Sequence, residues 1–247
     1  MMAGLEGKSG PDDALVEPVT GPGRPEQVDA RDLGTVVPEG RSLDAAGPTN
    51  HLAYKDRPLT EFRDTKEHEF IEPKPATYPI EPFREPRRIV ERTNPNYGDP
   101  SFSYDQNCAD CARSFERSWR GNFEEAAGRA PQITASGEYT PIGESSRLTE
   151  EWAGEQFRDV YRADDLRTTL DQSGHGTSAI VHTRFMDADG ASGAHAYNVV
   201  NYRGKIEVCD PQLGEVFDWA PETIHPKLGP HTEHTAMAWD AKGNRRW

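Results

Sequence analysis

The chain has 247 residues, of which 34% are hydrophobic, 20 are proline and 22 are glycine. That is lean for one packed globule of this length, so part of the chain is expected to stay unpacked. The formal net charge of −14, without any long basic block, excludes nucleic acid and anionic membrane as natural partners, because an acidic surface repels their phosphates.

The sequence starts Met1-Met2-Ala3-Gly4-Leu5 with no apolar run behind it, so no Sec signal peptide is expected, and no stretch reaches transmembrane length. Residues 1–91 read as a Pro-rich, largely disordered leader or delivery segment. Fourteen of the 20 prolines and none of the five tryptophans lie in residues 1–100. Glu72-Pro73-Lys74-Pro75 and Tyr78-Pro79-Ile80-Glu81-Pro82 read as extended, polyproline-like chain.

Residues 92–247 read as the catalytic domain. The turn-rich Arg92-Thr93-Asn94-Pro95-Asn96-Tyr97-Gly98 leads to the most informative stretch, Asn107-Cys108-Ala109-Asp110-Cys111-Ala112. Asn107 is an expected N-cap, and Asp110 is placed to reach back or to favour the helix N-terminus. Cys108, Cys111, Ala112, Phe115 and Trp119 share one face at helical spacing, and Gly121 is the stop. A thiol in the first turn of a helix faces unpaired N–H groups, which favour the thiolate and can hold an oxyanion.

A second short helix is expected over Phe123–Arg129, and a longer one over Leu148–Gln172, with Trp152, Gln156, Val160 and Ala163 on one face and Gly174 closing it. Strands are expected over Thr177–Phe185, Ala194–Tyr202, Lys205–Asp210 and Glu215–Asp218, with a turn at Asp187-Ala188-Asp189-Gly190. From about Pro221 the chain reads as irregular, and His225, His231 and His234 read as a chance grouping. Helices followed by an antiparallel meander make an α+β domain.

A thiolate enzyme needs a base at the thiol and a group that orients the base. His195 lies on one strand of a hairpin and Asp210 at the end of the next. The assigned roles are Cys108 as nucleophile, His195 as base and then acid, and Asp210 as the holder of the imidazole. Cys111 and Cys209 read as buried core thiols. Three cysteines are too few for a disulfide framework. Zinc on Cys108-x-x-Cys111 with His195 and Cys209 lacks a second close ligand pair. A zinc nucleobase deaminase is rejected because Asn107 stands where that motif has Pro.

Asn94-Pro95, Asn107-Cys108-x-x-Cys111, Trp119-Arg120-Gly121, Gly193-Ala194-His195-Ala196-Tyr197-Asn198 and Asp210-Pro211-Gln212-Leu213-Gly214 together resemble the papain-fold toxin domains of the glutamine deamidase type, found in bacterial polymorphic toxins and injected effectors. One departure is Gly193-Ala194-His195, where many members have Gly-His directly. The resemblance covers about residues 92–219. It implies a papain-like fold with a catalytic helix packed on an antiparallel sheet, and a triad at Cys108, His195 and Asp210. It implies deamidation of a protein glutamine through a thioester, with no metal or organic cofactor. Gln106 and Gln212 are candidate oxyanion or substrate-positioning donors beside the Cys108 N–H. The implied partners are a target protein with a reactive glutamine and a cognate immunity protein or delivery apparatus. The implied setting is synthesis in a bacterial cytoplasm, delivery without a Sec signal peptide and action in a target cytosol. The alternatives are a cysteine protease or isopeptidase of the same fold, and a non-catalytic protein-binding module.

Overall fold

The computed structural model describes residues 59, 63–65, 68–71, 76–98, 104–129, 132–133, 139–140, 143–186, 192–228 and 232–247. All of them fall in the larger of two compact units, Leu33–Trp247. The expected turn at residues 187–190, most of the expected leader and His231 lie outside the described residues.

Four helices occur among the described residues: α1 Pro86–Thr93, α2 Cys108–Trp119, α3 Ser146–Ala153 and α4 Ala163–Ser173. The strands, in chain order, are β1 Asp64–Thr65, β2 His68–Ile71, β3 Thr77–Pro79, β4 Asn122–Glu124, β5 Gly128–Arg129, β6 Gln132–Ile133, β7 Tyr139–Thr140, β8 Arg158–Val160, β9 Ser178–Met186, β10 Ser192–Tyr202, β11 Lys205–Asp210, β12 Glu215–Asp218 and β13 Thr232–Trp239. The main sheet has the order β12-β11-β10-β9-β13-β8, and every neighbouring pair is antiparallel. This is the expected α+β architecture, a papain-like fold with the cysteine helix packed on an antiparallel sheet.

The two faces of that sheet hold different layers. Ala179, Val181, Tyr197, Val199, Ile206, Val208, Ala236 and Ala238 pack with Leu166 and Leu170 of α4. The alternate residues Ile180, Ala196, Met237 and Trp239 pack with Ala109 and Ala112 of α2 and with Trp152 of α3. Further along α2, Phe115 and Trp119 meet Val200 and Cys209 of the sheet together with Ile80, Ile89 and Val90. Polar ties fix the helix on this face: Asn198 Nδ2 donates to Ala112 O at 3.1 Å, and Trp119 Nε1 donates to Gly176 O at 3.0 Å. Gly121, with φ 106°, follows α2 as expected of a glycine stop.

Four local expectations are corrected. Phe123–Arg129 is not helical: β4 pairs with β3 and β5 with β2. The helix expected over Leu148–Gln172 is two helices with strand β8 between them, because Gly154 at φ 69° ends α3. The C-terminal stretch, read as irregular, contains β13, an interior strand between β9 and β8. Asn107 makes no side-chain cap hydrogen bond.

The packed structure also begins before residue 92. Leu59, Ile80, Ile89 and Val90 are buried in the core, and the Arg63 guanidinium is buried against α2.

Candidate active site

Cys108 is the first residue of α2 and is partly exposed, whereas Cys111 and Cys209 are buried and burial pushes both of their thiols well up. The first N–H groups of a helix have no intrahelical acceptor, so the Cys108 thiol sits beside free donors. Asn107 is instead a structural joint. Its Nδ2 donates to Asn94 Oδ1 at 3.1 Å and to Ala127 O at 3.0 Å. Asn94 Nδ2 donates in turn to Tyr104 O at 3.0 Å and to Gln212 O at 3.1 Å. This buried lattice ties the start of α2 to the turn after β11.

Pairing of β10 with β11 runs out to Asn198↔Cys209, and Asp210 follows immediately. Beyond that point the N-terminus of α2 meets His195. His195 Nε2 lies 2.7 Å from Asp210 Oδ2, and Cys108 and His195 line the same cleft. Burial opposes the imidazolium, but the hydrogen bonds and charges of Asp210 and Cys108 prevail and push His195 up to about 10.

Asp210 is fully buried, and burial opposes its charge. Its hydrogen bonds outweigh this and hold the carboxyl well below the usual carboxylate range. The Gln212 and Leu213 amides each donate to Oδ1 at 3.1 Å, and Oδ2 faces His195 and, at 3.0 Å, His225 Nε2. Sequence reasoning missed His225. Nothing local marks it, since it sits in a Pro/Gly-rich loop and meets Asp210 only through the fold.

Cys108 and His195 open into a cleft of about 750 Å³ whose lining includes Gln106, Gln212, Glu144 and Phe185. Both candidate glutamines therefore face the site. Gln212 Nε2 donates to Asn107 Oδ1 at 3.3 Å, which leaves its second N–H unassigned. The Phe185 ring lies over Gly193, where an added Cβ would stand 2.6 Å from it. The glycine of the Gly-x-His element thus makes room for an aromatic wall. Glu144 is held from behind by the buried Arg113, at 2.6 and 2.8 Å.

Asp110 lies in the first turn of the helix, where its charge favours the N-terminus, and its carboxylate is also a hydrogen-bonding hub. It accepts from Arg63, from Arg113 and from the Ala127 amide at 2.7 Å. It is an anchor for charges buried beneath the site. Of the zinc ligand set weighed from sequence, Cys111 and Cys209 are buried, and Cys209 packs with Phe115 and Trp119.

Residues 106–215 match the family model Papain fold toxin 1, glutamine deamidase. The papain-fold toxin match includes Cys108, His195 and Asp210 and ends before His225. It supports a toxin or effector function and a hydrolase activity. No curated protein matches the chain. Among solved structures, the Salmonella effector SpvD (G161 variant) is similar at 12% identity and a TM-score of 0.44, over 83% of this chain and 95% of that one.

Proposed function

We propose that this protein is a bacterial toxin or effector that deamidates a glutamine side chain of a target protein. The observation that carries the reading is a helix N-terminal thiol sharing one cleft with a carboxylate-held imidazole inside the family-matched segment. The Cys108 thiol gives its proton to His195, and its Sγ attacks the carboxamide carbon as the C=O π bond opens onto oxygen. The resulting oxyanion is held by the Cys108 N–H, with Gln212 Nε2 or Gln106 as the second donor. His195, charged at neutral pH, gives its proton to the departing ammonia and then takes one from the water that opens the thioester. Asp210 holds the ring throughout. A neutral glutamine becomes an anionic glutamate, without any cofactor in these steps.

In this reading the protein is delivered to a target cell, and its producer carries an inhibitory partner that covers the Cys108–His195 cleft. The test is a proteome-wide mass-spectrometric comparison of cells expressing wild type and Cys108→Ala. Sites converted from Gln to Glu by the wild type alone support the deamidase and name its target. Cleaved peptides or lost isopeptide conjugates without such sites replace it with a protease or isopeptidase. An effect on cells that survives in Cys108→Ala replaces both with a binding module.

A further inference from the structure

The Cys108–His195–Asp210 line continues to a fourth side chain. His225 is 1% exposed, and its Nε2 lies 3.0 Å from Asp210 Oδ2. Its other nitrogen, Nδ1, accepts from the Lys227 backbone N–H at 3.2 Å. A backbone amide only donates, so Nδ1 is unprotonated and the ring proton is on Nε2, directed at the carboxylate. Asp210 Oδ2 has two lone pairs, one for each imidazole, and Oδ1 takes the two amides. All the acceptor capacity of a fully buried carboxylate is thereby used.

The loop is built to hold this ring. Tyr197 and Phe217 both pack edge-on to it, at centroid distances of 4.9 Å. Ile224, the residue before it, is buried at φ 59°, a conformation that a β-branched side chain rarely adopts. Ile224 is pinned there by two hydrogen bonds with Ala220, at 2.8 and 3.0 Å. Strain of this kind persists where the surroundings over-determine it, and it gathers at functional sites.

We propose that His225 is a positioning residue: its Nε2–H fixes the Asp210 carboxylate in the orientation that serves His195. The inference rests on the deamidase reading for its purpose, but not for its test. His195, Asp210 and His225 also bring three ligand atoms within 4.8 Å of one another. A cation there would need His225 Nε2 stripped of its proton, with Nδ1–H then facing the Lys227 N–H. The hydrogen bonds therefore favour a positioning ring over a metal site.

The groups facing His195 are Cys108 on α2, Asp210 on β11, His225 on its loop, the stacked Tyr197 ring on β10 and, by charge, His182 on β9. The experiment is an NMR titration of the His195 ring in the full chain, for wild type, His225→Leu and His225→Gln. Gln keeps an N–H donor near the position of Nε2. Loss of the donor is expected to lower the His195 midpoint by about one unit or more in His225→Leu. His225→Gln is expected to restore it. An unchanged His195 midpoint in a folded His225→Leu, or a Gln variant that falls with Leu, overturns the proposal. Should the Leu variant not fold, the ¹⁵N shifts of wild-type His225 decide: the Nε2–H tautomer supports the positioning role, and the Nδ1–H tautomer overturns it. Binding of Zn²⁺ alone that displaces the His195 and His225 resonances together overturns it in favour of a metal site. None of these readouts uses glutamine turnover, so the positioning role and the deamidase reading fail separately.

Discussion

At the scale of single residues, the ionisation of His195 links stability to the site. Burial works against its charge, and Asp210 and Cys108 overcome burial to bring it to about 10. A group raised above its unfolded value stabilises the fold fully below that value, near 6.5. That contribution is lost as pH rises toward 10. Asp210 runs the other way: its lowered carboxyl stabilises above about 3.8, and the gain is lost as pH falls through its folded value. Replacing Cys108 by Ala removes one hydrogen bond and one charge that raise His195, and leaves Asp210 in place. The expected outcome of an NMR titration is a His195 midpoint below 10 but still above 6.5; an unmoved midpoint would show that the thiol does not engage the ring. The same environment separates the three thiols. Iodoacetamide is expected to modify Cys108 alone in the folded protein, and Cys111 and Cys209 only after denaturation, as read by peptide mapping. Labelling of Cys111 in the native state would remove Cys108 as the favoured nucleophile.

At the scale of elements, α2 carries two kinds of burial. Its apolar stripe of Cys111, Ala112, Phe115 and Trp119 was legible from spacing alone, because a 3.6-residue repeat needs no knowledge of the partner. The opposite side was not legible. Asp110, Arg113 and Glu116 are charged, yet none of the three is exposed. The partners of Asp110 and Arg113, Arg63 and Glu144, lie 47 and 31 residues away in sequence, and Glu116 accepts from Ser178, 62 residues away. The same distance effect hid β4 and β5, whose pairing partners β3 and β2 are far along the chain. It also hid β13. An interior strand buried on both faces at Ala236–Trp239 shows no clean alternation. The candidate triad was legible because a β-hairpin fixes its own register, whereas His225 arrives on a loop and left no such signal.

The buried charges make a quantitative prediction. Arg113 is raised, since its pairing with Glu144 and Asp110 outweighs burial, which acts to lower it. Arg113→Met leaves the Glu144 carboxylate buried and unpaired, which costs about 3–5 kcal/mol. Arg113→Met combined with Glu144→Gln removes the orphan charge and is expected to recover much of that loss. Urea unfolding of the two variants checks this through their midpoints. A single variant within about 0.5 kcal/mol of wild type, the range of an ordinary surface change, would show that the pair is not a buried one.

At the scale of the whole molecule, the question is where the folding unit begins. A start at residue 92 follows from composition, since prolines crowd the first hundred residues and tryptophans avoid them. The packing sets a different limit. Ile80, Ile89 and Val90 fill the layer between α2 and the sheet, and Leu59 closes the layer beside Trp152 and Met237. Arg63 meets Asp110 with three hydrogen bonds at 2.9–3.1 Å and Glu124 with one at 3.0 Å. Removing the segment would take away four buried aliphatic side chains and the burial they provide, at roughly 1.5–3 kcal/mol each. It would also strand Asp110 on the Arg113 and Ala127 contacts, against a burial that already opposes its charge. The sum is on the order of 10 kcal/mol, comparable to the whole stability of an ordinary domain. A fragment of residues 92–247 is therefore expected to lack a cooperative thermal transition. One of residues 33–247, the larger compact unit, is expected to melt cooperatively with Cys108 as the only rapidly alkylated thiol. A folded 92–247 fragment with a buried Cys111 would mean that Arg63 and residues 76–91 dress the domain rather than complete it.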